Sequence, residues 1–202
     1  MKNSEFIPVK IDKFLTSNDA SIIKNIIPVY NKDLQNPFEN FDIHQSGLHQ
    51  YHINEPELYD IFTKEIESRF KRSVKDLGLF FGRYLKINGN NPQLHPHLDN
   101  YRDGSTHDLT FTYMVDSSIK WDVGVQDILL DTNINDFILM SGSTHVHWRS
   151  KITFNENDYY DIIVGHFTFE DSEPEPIPAN FKEIMQTERN KYWRFWDDSK
   201  QS

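Results

Sequence analysis

The sequence predicts an α+β chain: an all-β core of jelly-roll type, a double-stranded β-helix, packed by N-terminal helices and a C-terminal helix. Three observations carry this expectation. Apolar residues recur at helical spacing before residue 75, the period falls to two from Leu77 onward, and a proline-rich stretch closes the strand region before helical spacing resumes. At 202 residues the chain is long enough for one well-cored domain and short for two. It reads as a single domain over 1–202, with a helical part at 1–75, a jelly-roll core at 77–169 and a proline-rich segment and helix at 170–202.

Each element has a local cause. Phe14-Leu15 followed by Thr16-Ser17-Asn18-Asp19 is an apolar pair running into N-cap residues, and Ile22, Ile23, Ile26 and Ile27 then share one helix face. A helix from about Ser17 to Val29 is expected. Pro56 suits a first helical turn, and Leu58, Ile61, Phe62, Ile66 and Phe70 mark one face of a second helix ending near Lys71 or Arg72. Strands are expected at 77–87, 107–115, 124–130, 136–141, 145–153 and 159–169, with turns at Asn88-Gly89-Asn90-Asn91, Asp131-Thr132-Asn133 and Asn155-Glu156-Asn157-Asp158. Glu173-Pro174-Glu175-Pro176-Ile177-Pro178 cannot continue a central strand, because proline lacks the donor a ladder needs. Phe181 to Phe195, with Tyr192, Trp193 and Trp196 nearby, predicts the C-terminal helix.

Composition narrows the function. Aromatic residues make up 14% of the chain, enough for a packed core, and 26% charged residues supply a polar surface. The formal net charge of −10 repels a phosphate backbone and no Lys/Arg stripe reverses it locally, so nucleic acid is not an expected partner. A single local cation can still hold a small anion. With no cysteine, disulfides, iron–sulfur clusters and thiolate zinc sites are excluded, so any metal must be held by His, Asp or Glu. The opening Met1-Lys2-Asn3-Ser4-Glu5-Phe6 has no apolar h-region and no later stretch approaches 18 uncharged apolar residues, so no membrane partner is expected and the cytoplasm is the expected location. Oligomeric state cannot be read from these features.

The chemistry concentrates in two segments. In Leu94-His95-Pro96-His97-Leu98-Asp99-Asn100, His97 and Asp99 lie two residues apart and share a face of an extended segment, so an imidazole and a carboxylate can meet one metal. A second source of histidine follows the apolar run Phe137-Ile138-Leu139-Met140, in Ser141-Gly142-Ser143-Thr144-His145-Val146-His147-Trp148-Arg149. Two histidines and one carboxylate form the facial triad that holds non-haem Fe(II) and leaves positions open. The third ligand stands open between His145 and His147, with His147 preferred. Pro96 interrupts the strand that would place His95 beside His97.

At these residues the sequence resembles the 2-oxoglutarate/Fe(II)-dependent dioxygenase superfamily, especially its prolyl-4-hydroxylase-like branch, over roughly residues 11–169. Ile11-Asp12-Lys13-Phe14-Leu15-Thr16 looks like the branch's N-terminal entry and Pro96-His97-Leu98-Asp99-Asn100 like its first metal motif. Leu109-Thr110-Phe111-Thr112-Tyr113-Met114-Val115 is similar to its next core strand. Trp121-Asp122-Val123-Gly124-Val125-Gln126-Asp127-Ile128-Leu129-Leu130 resembles a segment that often carries a Gly-Gly pair, here reduced to Gly124. Gly142, His147 and Ile152 fit the spacing of the second metal motif, which implies His97, Asp99 and His147 as the catalytic iron ligands. The resemblance further implies Fe(II), 2-oxoglutarate as co-substrate, stimulation by ascorbate, and hydroxylation of a peptide, a protein side chain or a small molecule such as a free amino acid, with release of succinate and CO₂.

One feature departs from that pattern. The superfamily usually binds the far carboxylate of 2-oxoglutarate with an Arg or Lys about ten residues beyond the last histidine, and Glu156-Asn157-Asp158-Tyr159-Tyr160-Asp161 has none. Arg149, two residues past His147 and on its face, is the expected replacement, since a guanidinium can grip a carboxylate with two prongs. Its other reading is an ion pair with Asp161. Tyr84 sits where related enzymes offer a phenol hydrogen bond to the same carboxylate, and Arg83 and Lys86 are reserve cations. His166 is expected to be a core or edge histidine, His107 to be solvated, and His44, His49 and His52 to lie in a polar connection. Trp121 and Trp148 are expected in the core or in a pocket wall. Two rival readings are a cupin-like metal protein built on His145, His147 and Glu156, and a non-catalytic jelly-roll binding module.

Overall fold

The computed structural model describes residues 6–27, 45–99, 109–172 and 178–198. Its main sheet has six antiparallel strands in the order β1 (Val9–Ile11), β9 (Phe137–Ser141), β6 (Leu109–Ser117), β11 (Tyr159–Phe169), β4 (Val74–Leu85) and β3 (Leu48–His52). A smaller sheet runs β10 (His147–Arg149), β7 (Val123–Val125), β8 (Ile128–Leu130), and β2 (Gln45–Ser46) pairs with β5 (Gln93–Leu94). This is the predicted jelly-roll core with helices packed on it.

The period-2 pattern gives the main sheet two different faces. Leu79, Phe81, Leu109, Phe111, Tyr113, Ile163 and Phe167 point to one side, where they are buried against Phe14, Leu15 and the two N-terminal helices. Tyr84, Gly82, Ile162, Val164, Thr112 and His166 line the other side, which faces a cavity shared with β10 and β7.

Helix α1 (Ser17–Ile26) opens with the Thr16 hydroxyl accepting from the Asp19 N–H at 3.1 Å, which satisfies one of the first-turn donors. Its Ile23 inserts into the core. Helix α2 (Pro56–Phe70) starts on Pro56, whose missing N–H costs nothing in the first turn, and ends at Lys71 in the left-handed conformation (φ 56°). Just before α1, Phe14 stacks on Phe137 of β9 with ring centroids 4.0 Å apart, tying this segment to the sheet next to its β1 edge. Helix α3 (Phe181–Asp198) packs Trp196, with Met185, Tyr192 and Trp193, against Leu98, Val146 and Trp148. It therefore braces the backbone behind both metal motifs.

Several expectations need correction. The expected strand 124–130 is a hairpin, because Gln126 turns the chain with φ 55° and lets Val125 pair with Ile128. The expected strand 145–153 shortens to His147–Arg149, because residues 142–145 form a turn closed by the Thr144 and His145 N–H groups on the Ser141 carbonyl. The polar connection expected around His49 and His52 contains an edge strand, with Leu48 paired to Tyr84 and His52 to Phe80. β1, β2 and β5 are short strands that two or three residues of alternation cannot announce. Asn88-Gly89 does form a two-residue turn, both residues having positive φ as such a hairpin requires. Val29, His44 and His107 lie outside the described residues, and among those described no helix is long and apolar enough to cross a membrane.

Candidate metal centre

His97 and His147 meet because their backbones pair. Each N–H donates to the other's carbonyl, at 3.1 and 3.0 Å, and the two rings face each other with centroids 4.2 Å apart. Asp99 is brought alongside by its own N–H, which donates to the Gly142 carbonyl at 2.9 Å. His147 Nε2 then lies 3.3 Å and His97 Nε2 3.9 Å from Asp99 Oδ1. One ligand atom from each of the three residues falls within 4.8 Å of the others, and these are the three residues the sequence had paired.

The ring tautomers suit a metal. His97 Nδ1 donates to the His95 carbonyl at 2.8 Å and His147 Nδ1 donates to the His145 carbonyl at 3.1 Å, so both Nε2 lone pairs are directed at the centre. Asp99 is oriented too. Its Oδ2 accepts the Thr110 hydroxyl at 2.6 Å, which leaves Oδ1 for the centre. Gly142 makes room for this carboxylate: a Cβ there would sit 1.7 Å from Asp99 Oδ2 and 2.4 Å from Thr110 Oγ1. A cradle of two nitrogens and one carboxylate oxygen fits a hard to borderline divalent cation such as Fe(II).

Electrostatics agree with the geometry. Burial would raise the Asp99 carboxyl, but the charge and hydrogen bond of His147, with His166 and His97, more than offset this and hold it well below the usual carboxylate range. Burial likewise pulls His147 down, and the Asp99 charge, its hydrogen bond and the His145 carbonyl overcome that pull and raise it. His145 does not join the cluster. Its Nδ1 accepts from the Ser141 N–H at 3.1 Å within the turn, and burial lowers its affinity for a proton. His95 packs its ring against Trp193 and Trp196 of α3.

Arg149 enters the same cavity from β10 and is 2% exposed. Its Nη1 donates to the Trp121 carbonyl at 3.1 Å, and its guanidinium lies 4.5 Å from the Tyr160 ring centroid, 5.2 Å from Trp121 and 5.9 Å from Tyr84. Among the described residues it makes no salt bridge, and the carboxylate that feels its charge, Asp122, is not within ion-pair distance. The alternative pairing with Asp161 is excluded, since Asp161 is held by Arg83 Nε at 2.6 Å and by Arg83 Nη2 on the face away from the cavity. Lys86 pairs with Glu156 at 3.0 Å. Neither reserve cation lines the cavity, and Glu156 lies at the exposed end of that pair, away from His145 and His147.

Tyr84 is 1% exposed and its hydroxyl accepts from Gln45 Nε2 at 2.9 Å, leaving its own proton to donate. Burial pushes the pKa of its hydroxyl up despite nearby Arg149, so it stays a phenol at neutral pH. Trp121 belongs to the core, its Nε1 donating to the Ser150 carbonyl at 2.6 Å. Trp148 lines the cavity and lies flat over Gly124, where a Cβ would fall 2.0 Å from the indole. The single glycine of that segment serves this contact.

Two residues enter that sequence reading did not assign to the site. Thr110 was read only as part of a strand, and His166, expected as a core or edge histidine, lines the cavity. The register His166↔Thr110 across β11 and β6 brings them together. No spacing along the chain announces that pairing.

The architecture is shared with 2-oxoglutarate/Fe(II) oxygenases, prolyl 4-hydroxylases among them. A prolyl-4-hydroxylase from Pseudomonas putida has a TM-score of 0.57 at 12% identity, over 79% of this chain and 91% of its own. A prolyl hydroxylase from Trichoplax adhaerens, solved with a hypoxia-inducible-factor peptide fragment, gives 0.56 at 12% identity, over 79% and 83%. SnoN, a non-haem α-ketoglutarate-dependent epimerase from nogalamycin biosynthesis, gives 0.62 at 7% identity, over 86% and 83%. No protein-family model and no curated protein matches the chain.

Proposed function

We propose that the protein is a 2-oxoglutarate- and Fe(II)-dependent dioxygenase that hydroxylates a peptide or protein side chain, or a free amino acid. The observation that carries this reading is one cavity holding both a His-Asp-His cradle and a buried arginine that makes no salt bridge among the described residues. A desolvated cation is costly unless an anion compensates it, and a dicarboxylate chelating a neighbouring metal supplies that anion.

In this reading His97, Asp99 and His147 hold the iron and Arg149 and Tyr84 hold the far carboxylate of 2-oxoglutarate. The iron with 2-oxoglutarate and O₂ supplies the oxidising chemistry, producing succinate and CO₂. The chain supplies orientation. Arg149 is fixed by the Trp121 carbonyl and three aromatic rings, so it is set for the carboxylate before binding. Tyr84, turned by Gln45, donates its proton beside it. Val123, Met140, Ile162 and Val164 give the cavity apolar walls that exclude water and strengthen these contacts.

The cavity among the described residues measures about 200 Å³, below the roughly 300–1,000 Å³ of sites for drug-sized ligands. That size suits a co-substrate plus one small group, such as an amino-acid side chain. The likeness to two prolyl hydroxylases favours the same class. The cupin-like alternative lacks support because His145 and Glu156 are not at the centre.

Succinate formation from 2-oxoglutarate, with Fe(II), ascorbate and O₂, tests the function. Turnover, even uncoupled from a substrate, is expected. Its complete absence from protein that binds Fe(II) and 2-oxoglutarate would favour a non-catalytic binding module.

A further inference from the structure

Thr110 has one hydroxyl proton and two neighbours. It spends the proton on Asp99 Oδ2, at 2.6 Å, so its 3.2 Å contact with His166 Nδ1 must run the other way, with the ring N–H donating to Thr110 Oγ1. We propose that His166, acting through Thr110, is a positioning residue that fixes Asp99 as a one-oxygen metal ligand. The proposal rests on the metal reading above.

The relay is directional and closed at its ends. Asp99 Oδ2 lies against Gly142, where even a methyl group would not fit, and its only hydrogen-bond donor among the described side chains is Thr110. Thr110 itself is 4% exposed. Without His166, its hydroxyl can rotate and donate elsewhere; with His166 donating into it, the proton can lie only toward Asp99. Charge assistance by the carboxylate strengthens the Thr110 bond, and the donor behind it polarises it further. An oxygen held in this way is withdrawn from the metal, which leaves Asp99 one coordination position and keeps the remaining positions open for co-substrate and O₂.

His166 is held for the task. It stands edge-on to Phe80, with centroids 5.9 Å apart, on the adjacent strand, and its backbone pairs with both Gly78 and Thr110. Because Nδ1 is the donor to Thr110, Nε2 is the nitrogen left for the cavity that the ring lines.

Co(II) binding by the full-length protein, followed by calorimetry and by the visible d–d absorption, tests the relay without relying on turnover. His166→Phe keeps the ring and removes the donor, whereas His166→Asn places an amide N–H where Nδ1 stood. Thr110→Val removes the hydroxyl at equal volume. Changes around a ligand commonly alter metal affinity by about 10–100-fold. His166→Phe and Thr110→Val should each weaken Co(II) binding by about that factor and shift the d–d bands, and His166→Asn should restore most of both. The double variant Thr110→Val with His166→Phe should be no weaker than the worse single one, since both cut one relay. Unchanged affinity and spectrum in His166→Phe, failure of His166→Asn to recover, or additive losses would each overturn the relay. If the wild-type protein does not bind Co(II), the metal reading falls and the relay falls with it. Circular dichroism of the metal-free variants confirms that affinity is read on folded protein.

Discussion

The Arg149 guanidinium sits 4.5 Å from the centroid of the Tyr160 ring, inside an aromatic box completed by Trp121 and Tyr84, and among the described residues it makes no salt bridge with a carboxylate. Arg149 stands on β10 and Tyr160 on β11, a strand that carries no Lys or Arg. A charge-assisted bond to a carboxylate is worth about 1.5–3 kcal/mol, or roughly ten- to hundredfold in affinity. Arg149→Ala should therefore raise the KM for 2-oxoglutarate by that factor with Fe(II) binding nearly intact, and Arg149→Lys should recover part of it. Steady-state kinetics with 2-oxoglutarate varied checks this. Loss of co-substrate affinity in Arg83→Ala or Lys86→Ala instead would move the anchor elsewhere.

His145 and His147 are separated by their neighbours. His147 directs Nε2 at Asp99, whereas His145 spends Nδ1 on the Ser141 N–H in a turn. His147→Ala should abolish succinate formation, and His145→Ala should keep a measurable fraction. The opposite ranking would shift the ligand by two residues.

Gly142→Ala probes the seat of the carboxylate with no change of ligand. The added methyl falls on Asp99 Oδ2, so the side chain must swing away. Fe(II) affinity should drop by about 10–100-fold while the circular dichroism spectrum is retained. Equal affinity would show that Asp99 does not bind in this position.

Metal binding should release protons. His147 is raised above the ordinary imidazole value of about 6.5, chiefly by Asp99, which overcomes its burial; His97 and His166 also face Asp99, and Arg149 opposes the rise. Since Nδ1 is already committed to the His145 carbonyl, the extra proton sits on Nε2, the atom a metal needs. In the metal-free protein the resulting stabilisation is fully present below about pH 6.5 and fades as pH rises through the raised value. Apparent metal affinity follows the reverse trend, climbing with pH until His147 is neutral above its raised value. Calorimetry of Mn(II) binding in buffers of different ionisation enthalpy should detect the released proton, and a binding heat independent of buffer would contradict this assignment.

Much of this was legible in the sequence because it depends on spacing. His97 and Asp99 share a face by alternation, Arg149 shares one with His147, and the two N-terminal helices follow from their isoleucines and Pro56. What was hidden depends on pairing. The edge strand Leu48–His52 is too rich in polar residues to read as a strand, yet it pairs with β4 and brings its segment to Tyr84. The turn at 142–145 interrupts what alternation alone continues through His145. The contact of Thr110 with His166 joins residues 56 apart through the register of two strands, and one sequence does not encode that register visibly.

The central claim is that His97, Asp99 and His147 hold one iron. Anaerobic titration of the metal-free protein with Fe(II), read by calorimetry and compared with Asp99→Ala, tests it most directly. The site has one carboxylate among its three ligands, so its loss removes both a ligand and the charge that balances the cation. One equivalent of Fe(II) is expected to bind the wild-type protein, with binding lost in Asp99→Ala. Equal affinity in the two proteins would contradict the account.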